Sequence, residues 1–219
     1  LRIGPEDKLI FVVLQEDVEK CNLDKILKNI AGERARLPDA LSRQAIGGQA
    51  IIRTLPTVTE GSPCSILEAA RDLLDNETDC LLDLGDVIRD SDQFYPDIAA
   101  RRSDVSGIIS VDRRDMSGRT HGYVRVNEKD EAEGLFEKEI TYVAPWATTG
   151  LYYFSRGKDF VWAADEMVRK RSFLYHDTFF VGPVYNELIK RGDKVIISRN
   201  IIKMMLGTPE EVEAFRERQ

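Results

Sequence analysis

Asp86 closes the stretch "CLLDLGD" (80 to 86), an apolar run that ends on a glycine and a carboxylate. A carboxylate just past the end of a buried strand stands where open α/β sheets place their ligands. Its hard oxygens suit a divalent cation, and magnesium needs only one or two carboxylates when substrate phosphates supply the rest. The ordinary alternative is a solvated aspartate between strand and loop, and Asp90, Asp92 and Asp97, which follow, read as loop surface. Glu137-Lys138-Glu139 is a second candidate, since a lysine offers a mobile point charge to a phosphate and a glutamate accepts from hydroxyls. Taken singly, such a run reads more readily as a solvated face. Thr148-Thr149-Gly150 lies inside an apolar run, where an interior glycine marks either a bulge or close backbone approach by a ligand or another segment. Thr59-Glu60-Gly61 precedes a helix, so its backbone either faces a base or phosphate or simply turns the chain. His121 and His176 have no companion serine, cysteine or acid at a recognisable spacing, so a hydrolytic triad has no support.

The elements that must position these residues follow from periodicity. "LIFVVL" (9 to 14) is a continuous β-branched run of the kind covered on both faces, which suggests a parallel sheet. "NLDKILKNIAG" (22 to 32) carries Leu23, Ile26, Leu27 and Ile30 at helical spacing, and "QAIIRTL" (49 to 55) reads as the next strand, completing a βαβ pattern. Ser62 and Pro63 open a helix with its apolar stripe on Ile66, Leu67, Ala70, Leu73 and Leu74, which stops near Asp75-Asn76. "CLLDL" is then a short buried strand. Further strands are predicted over 106–111, 122–128, 146–156 and 194–198, and helices over 159–171 and 182–192. Near the end, Thr208, Pro209 and Glu211 spell a capping box with proline at the first helical position.

The totals bound the class. A chain of 219 residues with 42% apolar content can bury one sizeable core, and it reads as a single domain over 1–219. A formal net charge of −7, with 31 basic residues scattered along the chain, argues against nucleic acid or an anionic membrane as the main partner. Cys21, Cys64 and Cys80 lack metal-ligand spacing and read as buried, reduced thiols. With no secretory apolar region and no run long enough for a membrane span, a cytoplasmic protein is expected.

Seven segments, in order, resemble the sugar-nucleotide pyrophosphorylase (nucleotidyltransferase) family, and within it the short capsule- and lipopolysaccharide-associated members. They are "TEGSPCSILEAARDLLDN", "CLLDLGD", "HGYVRVNE", "LFEKE", "WATTGLYYFSRGKDFVWAADEM", "FFVGPVYNELIKRG" and "LGTPEEVEAF", and they span most of 9 to 216. The resemblance implies a Rossmann-like, GT-A-type α/β fold with a mixed, mostly parallel sheet flanked by helices. It implies transfer of a nucleoside monophosphate from a nucleoside triphosphate to a phosphorylated sugar or other small acceptor, with Mg2+ and release of pyrophosphate. Carried over residue by residue, it places Glu60 and Gly61 at the nucleotide, Asp86 on the metal as a catalytic residue, and Glu137, Lys138 and Gly150 at the acceptor, Lys138 holding its phosphate.

Two departures accompany the resemblance. The family's Gly-rich phosphate loop precedes the strand matched by "LIFVVL", and this sequence starts almost at that strand. The favoured expectation is a longer enzyme carrying the loop on another segment. The alternative is a non-catalytic relative that binds a partner, and apolar edges would favour association with a second copy or a partner chain. In "KMMLGTPEE", Met205 stands where many members have a second metal carboxylate. A GT-A glycosyltransferase ranks third, because "DLGD" has two residues between its acids where such enzymes have an Asp-x-Asp-like motif.

Overall fold

The computed structural model describes residues 7–32, 49–113, 121–137 and 146–218. The chain divides into two units, Leu1–Asp72 and Leu73–Gln219, and the division falls within helix α3 (Ser62–Leu74).

In the first unit, β1 (Lys8–Leu14) pairs in parallel with β2 (Gln49–Leu55), in unbroken register from Lys8 opposite Gln49 to Leu14 opposite Leu55. Between them in sequence stand α1 (Gln15–Cys21) and α2 (Leu23–Gly32), separated by Asn22 in the left-handed region at φ 52°. The strand–helix–strand order is therefore as read, although β1 is half-buried rather than covered on both faces. Helix α1 was not legible, because "QEDVEKC" has no apolar stripe and buries none of its residues. It also leaves Cys21 exposed, against the expectation of three buried thiols, while Cys64 and Cys80 are half-buried.

The second unit begins with the last turn of α3, which ends where expected. The Asn76 amide donates to the Leu73 carbonyl at 2.8 Å, and its oxygen accepts the Thr78 N–H at 2.8 Å. The spine is β8 (Trp146–Phe154) in a six-stranded sheet. Along one edge of β8 runs β5 (Gly107–Arg113), antiparallel, with β9 (Val195–Arg199) parallel beyond it. The other edge is shared by β3 (Cys80–Asp83), on Leu151–Phe154, and β6 (Gly122–Val126), on Trp146 and Ala147. Beyond β6 lies β7 (Ala132–Glu137). The mixed α/β class is as expected, but parallel pairing is scarcer than predicted. Among the described pairs only β1–β2 and β5–β9 are parallel. A continuous apolar run reports burial on both faces and not strand direction, and every pair made by β8 is antiparallel.

Packing against this sheet is carried by aromatic side chains. Phe154 on β8 stacks on Tyr185 of α6 (Val181–Arg191) with centroids 4.3 Å apart, and meets Phe160 of α5 (Gly157–Lys170) edge-on at 5.2 Å. Tyr185 stays satisfied by donating its hydroxyl to the Tyr153 carbonyl at 2.8 Å, as a buried phenol requires. Phe94, at the start of α4 (Phe94–Arg101), completes a cluster with Val105, Ile108, Leu151, Tyr153 and Ile196.

A second, two-stranded sheet joins β4 (Val87–Asp90) to β10 (Ile201–Met205), antiparallel, with a register shift between Ile202 and Met204. Helix α7 (Pro209–Arg216) follows and shows the predicted capping box: the Glu211 N–H donates to Thr208 Oγ1 and the Thr208 N–H to Glu211 Oε2. The acids after Asp86 are not all loop surface. Asp90 ends β4 opposite Ile201, and Asp97 on α4 accepts from Ser198 Oγ at 2.5 Å. Both are recruited by elements too short for periodicity to reveal.

Candidate functional site

Asp86 occupies the turn between β3 and β4, where the chain leaves the six-stranded sheet for the two-stranded one. Gly85 makes the turn possible by adopting φ +79°, a left-handed conformation that costs a glycine little. The main chain at Asp86 is held by the Leu206 N–H, which donates to its carbonyl at 2.7 Å just past β10. The side chain differs from its neighbours. Oδ1 is buried and accepts no hydrogen bond from any described residue. Oδ2 lies 3.5 Å from the position a Cβ on Gly207 would take, with Glu211 Oε2 3.6 Å from the same point. Met205 sits opposite Val87, the residue after Asp86, so the residue in place of a second carboxylate does reach this loop but brings a thioether.

Gly150, expected near the acceptor, is joined to the same loop. Its carbonyl accepts the Leu84 N–H at 3.0 Å, and its φ of +75° explains why glycine stands there. A Cβ on it would meet the Leu84 side chain at ordinary contact distance, 3.6 Å, so the demand is conformational rather than spatial. The Thr149 hydroxyl beside it is buried on Ser110 Oγ at 2.6 Å.

Glu137 ends β7, and its carboxylate enters a polar cluster built from four elements. Oε2 lies 2.7 Å, and Thr148 Oγ1 3.1 Å, from where a Cβ on Gly122 would sit, so the missing side chain at the start of β6 makes room for both. Gly182, in the first turn of α6, faces the same place, with Tyr152 Oη 3.7 Å and Glu137 Oε2 4.0 Å from its Cβ position. A helix N-terminus favours a nearby negative charge, and α6 has no side-chain cap of its own. Tyr152 ties the cluster to the strand tip. Burial raises its phenol pKa, the charges of Glu137 and Asp86 raise it further, and the Thr148 hydrogen bond and Arg89 act in the opposite sense. Asp86 and Glu137 thus lie within electrostatic reach of one hydroxyl.

Glu60 and Gly61 belong to the first unit. Glu60 is exposed on the approach to α3, and Gly61 has φ +133°. Thr59 Oγ1 donates to the Gly61 carbonyl at 2.9 Å, and that carbonyl accepts the Ser65 N–H at 3.0 Å, so the turn is locked onto the helix start. Lys138 and Glu139 lie outside the described residues. Gly122, Thr148, Tyr152 and Gly182 are cluster members that were not singled out from sequence as a set. The available signal was a glycine on the first residue of an alternating strand, at Gly122.

No group of three or more His, Cys, Asp or Glu side chains converges as a metal cage among the described residues. What the site does provide is one buried, unsatisfied carboxylate oxygen, the kind of group that buried polar atoms rarely leave unpaired. That donor fits a magnesium ion bound through a single protein carboxylate and completed by substrate phosphates. Among the described residues no helix is long and apolar enough to cross a membrane.

Neither a family model nor a curated protein matches the sequence. Solved structures do match its fold. A nucleoside-diphosphate-sugar pyrophosphorylase from Vibrio cholerae RC9 superposes with a TM-score of 0.71 at 22% identity, covering 97% of this chain and 81% of that one. The inositol-1-phosphate CTP transferase from T. maritima gives 0.64 at 15% identity, covering 94% and 72%. HddC from Yersinia pseudotuberculosis gives 0.56 at 14% identity, covering 96% and 78%. The chain therefore has the Rossmann-like α/β fold of the sugar-nucleotide pyrophosphorylases and related nucleotidyltransferases, the family that its sequence segments resemble.

Proposed function

We propose that this protein is a nucleotidyltransferase that moves a nucleoside monophosphate from a nucleoside triphosphate to a phosphorylated sugar or similar small acceptor. The observation that carries this reading is the buried, unpartnered Oδ1 of Asp86 at the strand tip of a nucleotidyltransferase fold. An acceptor phosphate oxygen attacks the α-phosphorus in line, the bond from that phosphorus to the bridging oxygen breaks, and pyrophosphate leaves. Catalysis of this kind is mostly positioning and neutralisation of charge, with little covalent work for the protein.

Asp86 would hold Mg2+, which supplies positive charge to the phosphates when bound. Glu137, kept in place by the space over Gly122 and by the start of α6, accepts hydrogen bonds from acceptor hydroxyls. Lys138 holds the acceptor phosphate, Gly150 lines the acceptor side through its backbone, and Glu60 with Gly61 contacts the nucleobase. We read 1–219 as one nucleotidyltransferase domain acting in the cytoplasm in surface-polysaccharide precursor synthesis, with self-association or a partner chain as a further expectation. Met205 beside the Asp86 loop favours one competing reading, a relative that binds the acceptor without turning it over.

The test is pyrophosphate release from each of the common nucleoside triphosphates against a panel of sugar 1-phosphates and phosphorylated alcohols, with Mg2+ and with chelator. Pyrophosphate formed only with a matching pair and only with Mg2+ supports the transferase. Saturable acceptor binding without pyrophosphate supports the binding relative. Nucleotide-sugar hydrolysis in its place supports the glycosyltransferase.

A further inference from the structure

Arg89 is set on β4, three residues past Asp86, and its side chain is only 7% exposed. It does not face solvent, as a charge on a short strand ordinarily would. It reaches back across the turn and grips Asp83 with both arms of its fork, Nη1 to Oδ2 at 2.9 Å and Nη2 to Oδ1 at 2.8 Å. Asp83 in turn accepts the Gly85 N–H on Oδ1 at 2.9 Å. One carboxylate thus binds the last residue of β3, the left-handed glycine of the turn, and β4. The third guanidinium nitrogen, Nε, is buried and makes no hydrogen bond among the described residues, and the ion pair of the guanidinium is with Asp83.

This clamp spans the junction where the six-stranded sheet hands the chain to the β4–β10 pair. Next to Arg89 in the ladder is Ile202, buried and anchored by its own N–H on Asp112 Oδ2 at 2.9 Å. At the turn itself the main chain of Asp86 is fixed by Leu206, while its buried Oδ1 has no hydrogen-bond partner among the described residues. With a thioether at Met205, no carboxylate from β10 shares the task of ligation.

We propose that Asp83 and Arg89 are positioning residues that hold the Asp86 carboxylate in a metal-binding pose, replacing with a rigid turn what a second carboxylate would otherwise supply. The inference rests on the assignment of Asp86 to the metal. A planar, two-pronged pair has the geometry for this, because it fixes orientation as well as distance, and a lysine in its place keeps the charge but loses the fork. Groups that orient a metal ligand typically change affinity by about 10–100-fold when altered.

Mn2+ titration of the intact chain, followed by water-proton relaxation, tests this without any need for turnover. Arg89→Lys is expected to weaken Mn2+ binding about tenfold, with the secondary structure seen by circular dichroism retained. Arg191→Lys, which alters the fork that Arg191 at the end of α6 places on Asp159 of α5 and on Asp193 just beyond α6, is the control: it lowers the unfolding temperature and leaves Mn2+ affinity unchanged. Should Arg89→Lys not fold, Asp83→Glu keeps both charges but shifts the acceptor off the Gly85 N–H, and it carries the same expectation. If Arg89→Lys or Asp83→Glu binds Mn2+ as the parent does while Asp86→Asn has lost it, the clamp is overturned and the metal assignment stands. If Asp86→Asn binds as tightly as the parent, the metal assignment itself is wrong, and the clamp with it.

Discussion

Two sets of buried acids divide the second unit. Asp159 and Glu187, on α5 and α6, are 2% and 1% exposed, and every one of their oxygens is claimed. Asp159 takes Arg191 Nη2 on Oδ1 at 2.8 Å and Arg156 Nε on Oδ2 at 2.6 Å. Glu187 takes Lys190 on Oε1 at 3.0 Å and Lys170 on Oε2 at 2.6 Å. Asp86 is less buried, yet one of its oxygens is enclosed and unclaimed. A buried acid with matched cations holds helices together. A buried carboxylate oxygen without a cation is what the proposed metal site would use.

If that contrast is real, the two sets must fail differently. Asp86→Ala is expected to lower Mg2+-dependent pyrophosphate release by at least about a hundredfold, equivalent to about 2.7 kcal/mol, with an unfolding temperature equal to or above the parent's. Gly157→Ala breaks the scaffold instead: a Cβ there would sit 2.1 Å from the Leu74 carbonyl oxygen, a backbone atom that cannot turn aside. It should cost about 1–3 kcal/mol or more in denaturant melts. Glu187→Gln should cost about 1–3 kcal/mol and leave the acceptor KM unchanged.

The same glutamate gives a pH signature. Burial alone would raise its pKa, but the hydrogen bonds from Lys170 and Lys190 outweigh that and hold it below the ordinary carboxylate value. A depressed folded pKa means stability present above about pH 4.3 and lost as pH falls through the folded value. Acid melts of the parent should therefore lose stability below that point, and those of Glu187→Gln should lose less.

Smaller effects sharpen the acceptor side. Gly122→Ala meets only the ends of the Glu137 and Thr148 side chains, so the fold should survive while the acceptor KM rises about tenfold, about 1.4 kcal/mol of binding. A rise in the KM for the triphosphate instead would place Glu137 on the wrong substrate. The mildest test concerns thiols. Burial, with the nearby Asp79 charge, pushes Cys80 up to about 12, whereas Cys21 is exposed. An alkylating reagent at pH 8 should label Cys21 and spare Cys80 until the protein unfolds, because the thiolate is the reactive form.

What was legible in sequence was what local pattern controls. The capping box at Thr208 and Glu211, the glycine stop at Gly192 and the long apolar strand at 146–154 all declared themselves. Short elements did not. "VIRD" and "IIKMM" make a sheet only because they find each other across 110 residues of chain, and "FYPDIAAR" hides a helix behind an internal proline. Parallel or antiparallel direction was equally hidden, since composition carries no record of which way a neighbour runs. At the site, Asp86, Glu137 and Gly150 were visible as residues out of place in their runs. Their partners were not, because Arg89 reads as an ordinary strand charge until the turn folds it onto Asp83, and Gly122 matters only once Glu137 and Thr148 converge on it.

The most direct test of the central claim is anomalous diffraction from crystals grown with Mn2+ and the nucleoside triphosphate that supports turnover. The account predicts one ion bound to Asp86 Oδ1 at about 2.1 Å, with phosphate oxygens and water completing its shell. An ion held elsewhere, with Asp86 Oδ1 still unligated, would contradict it.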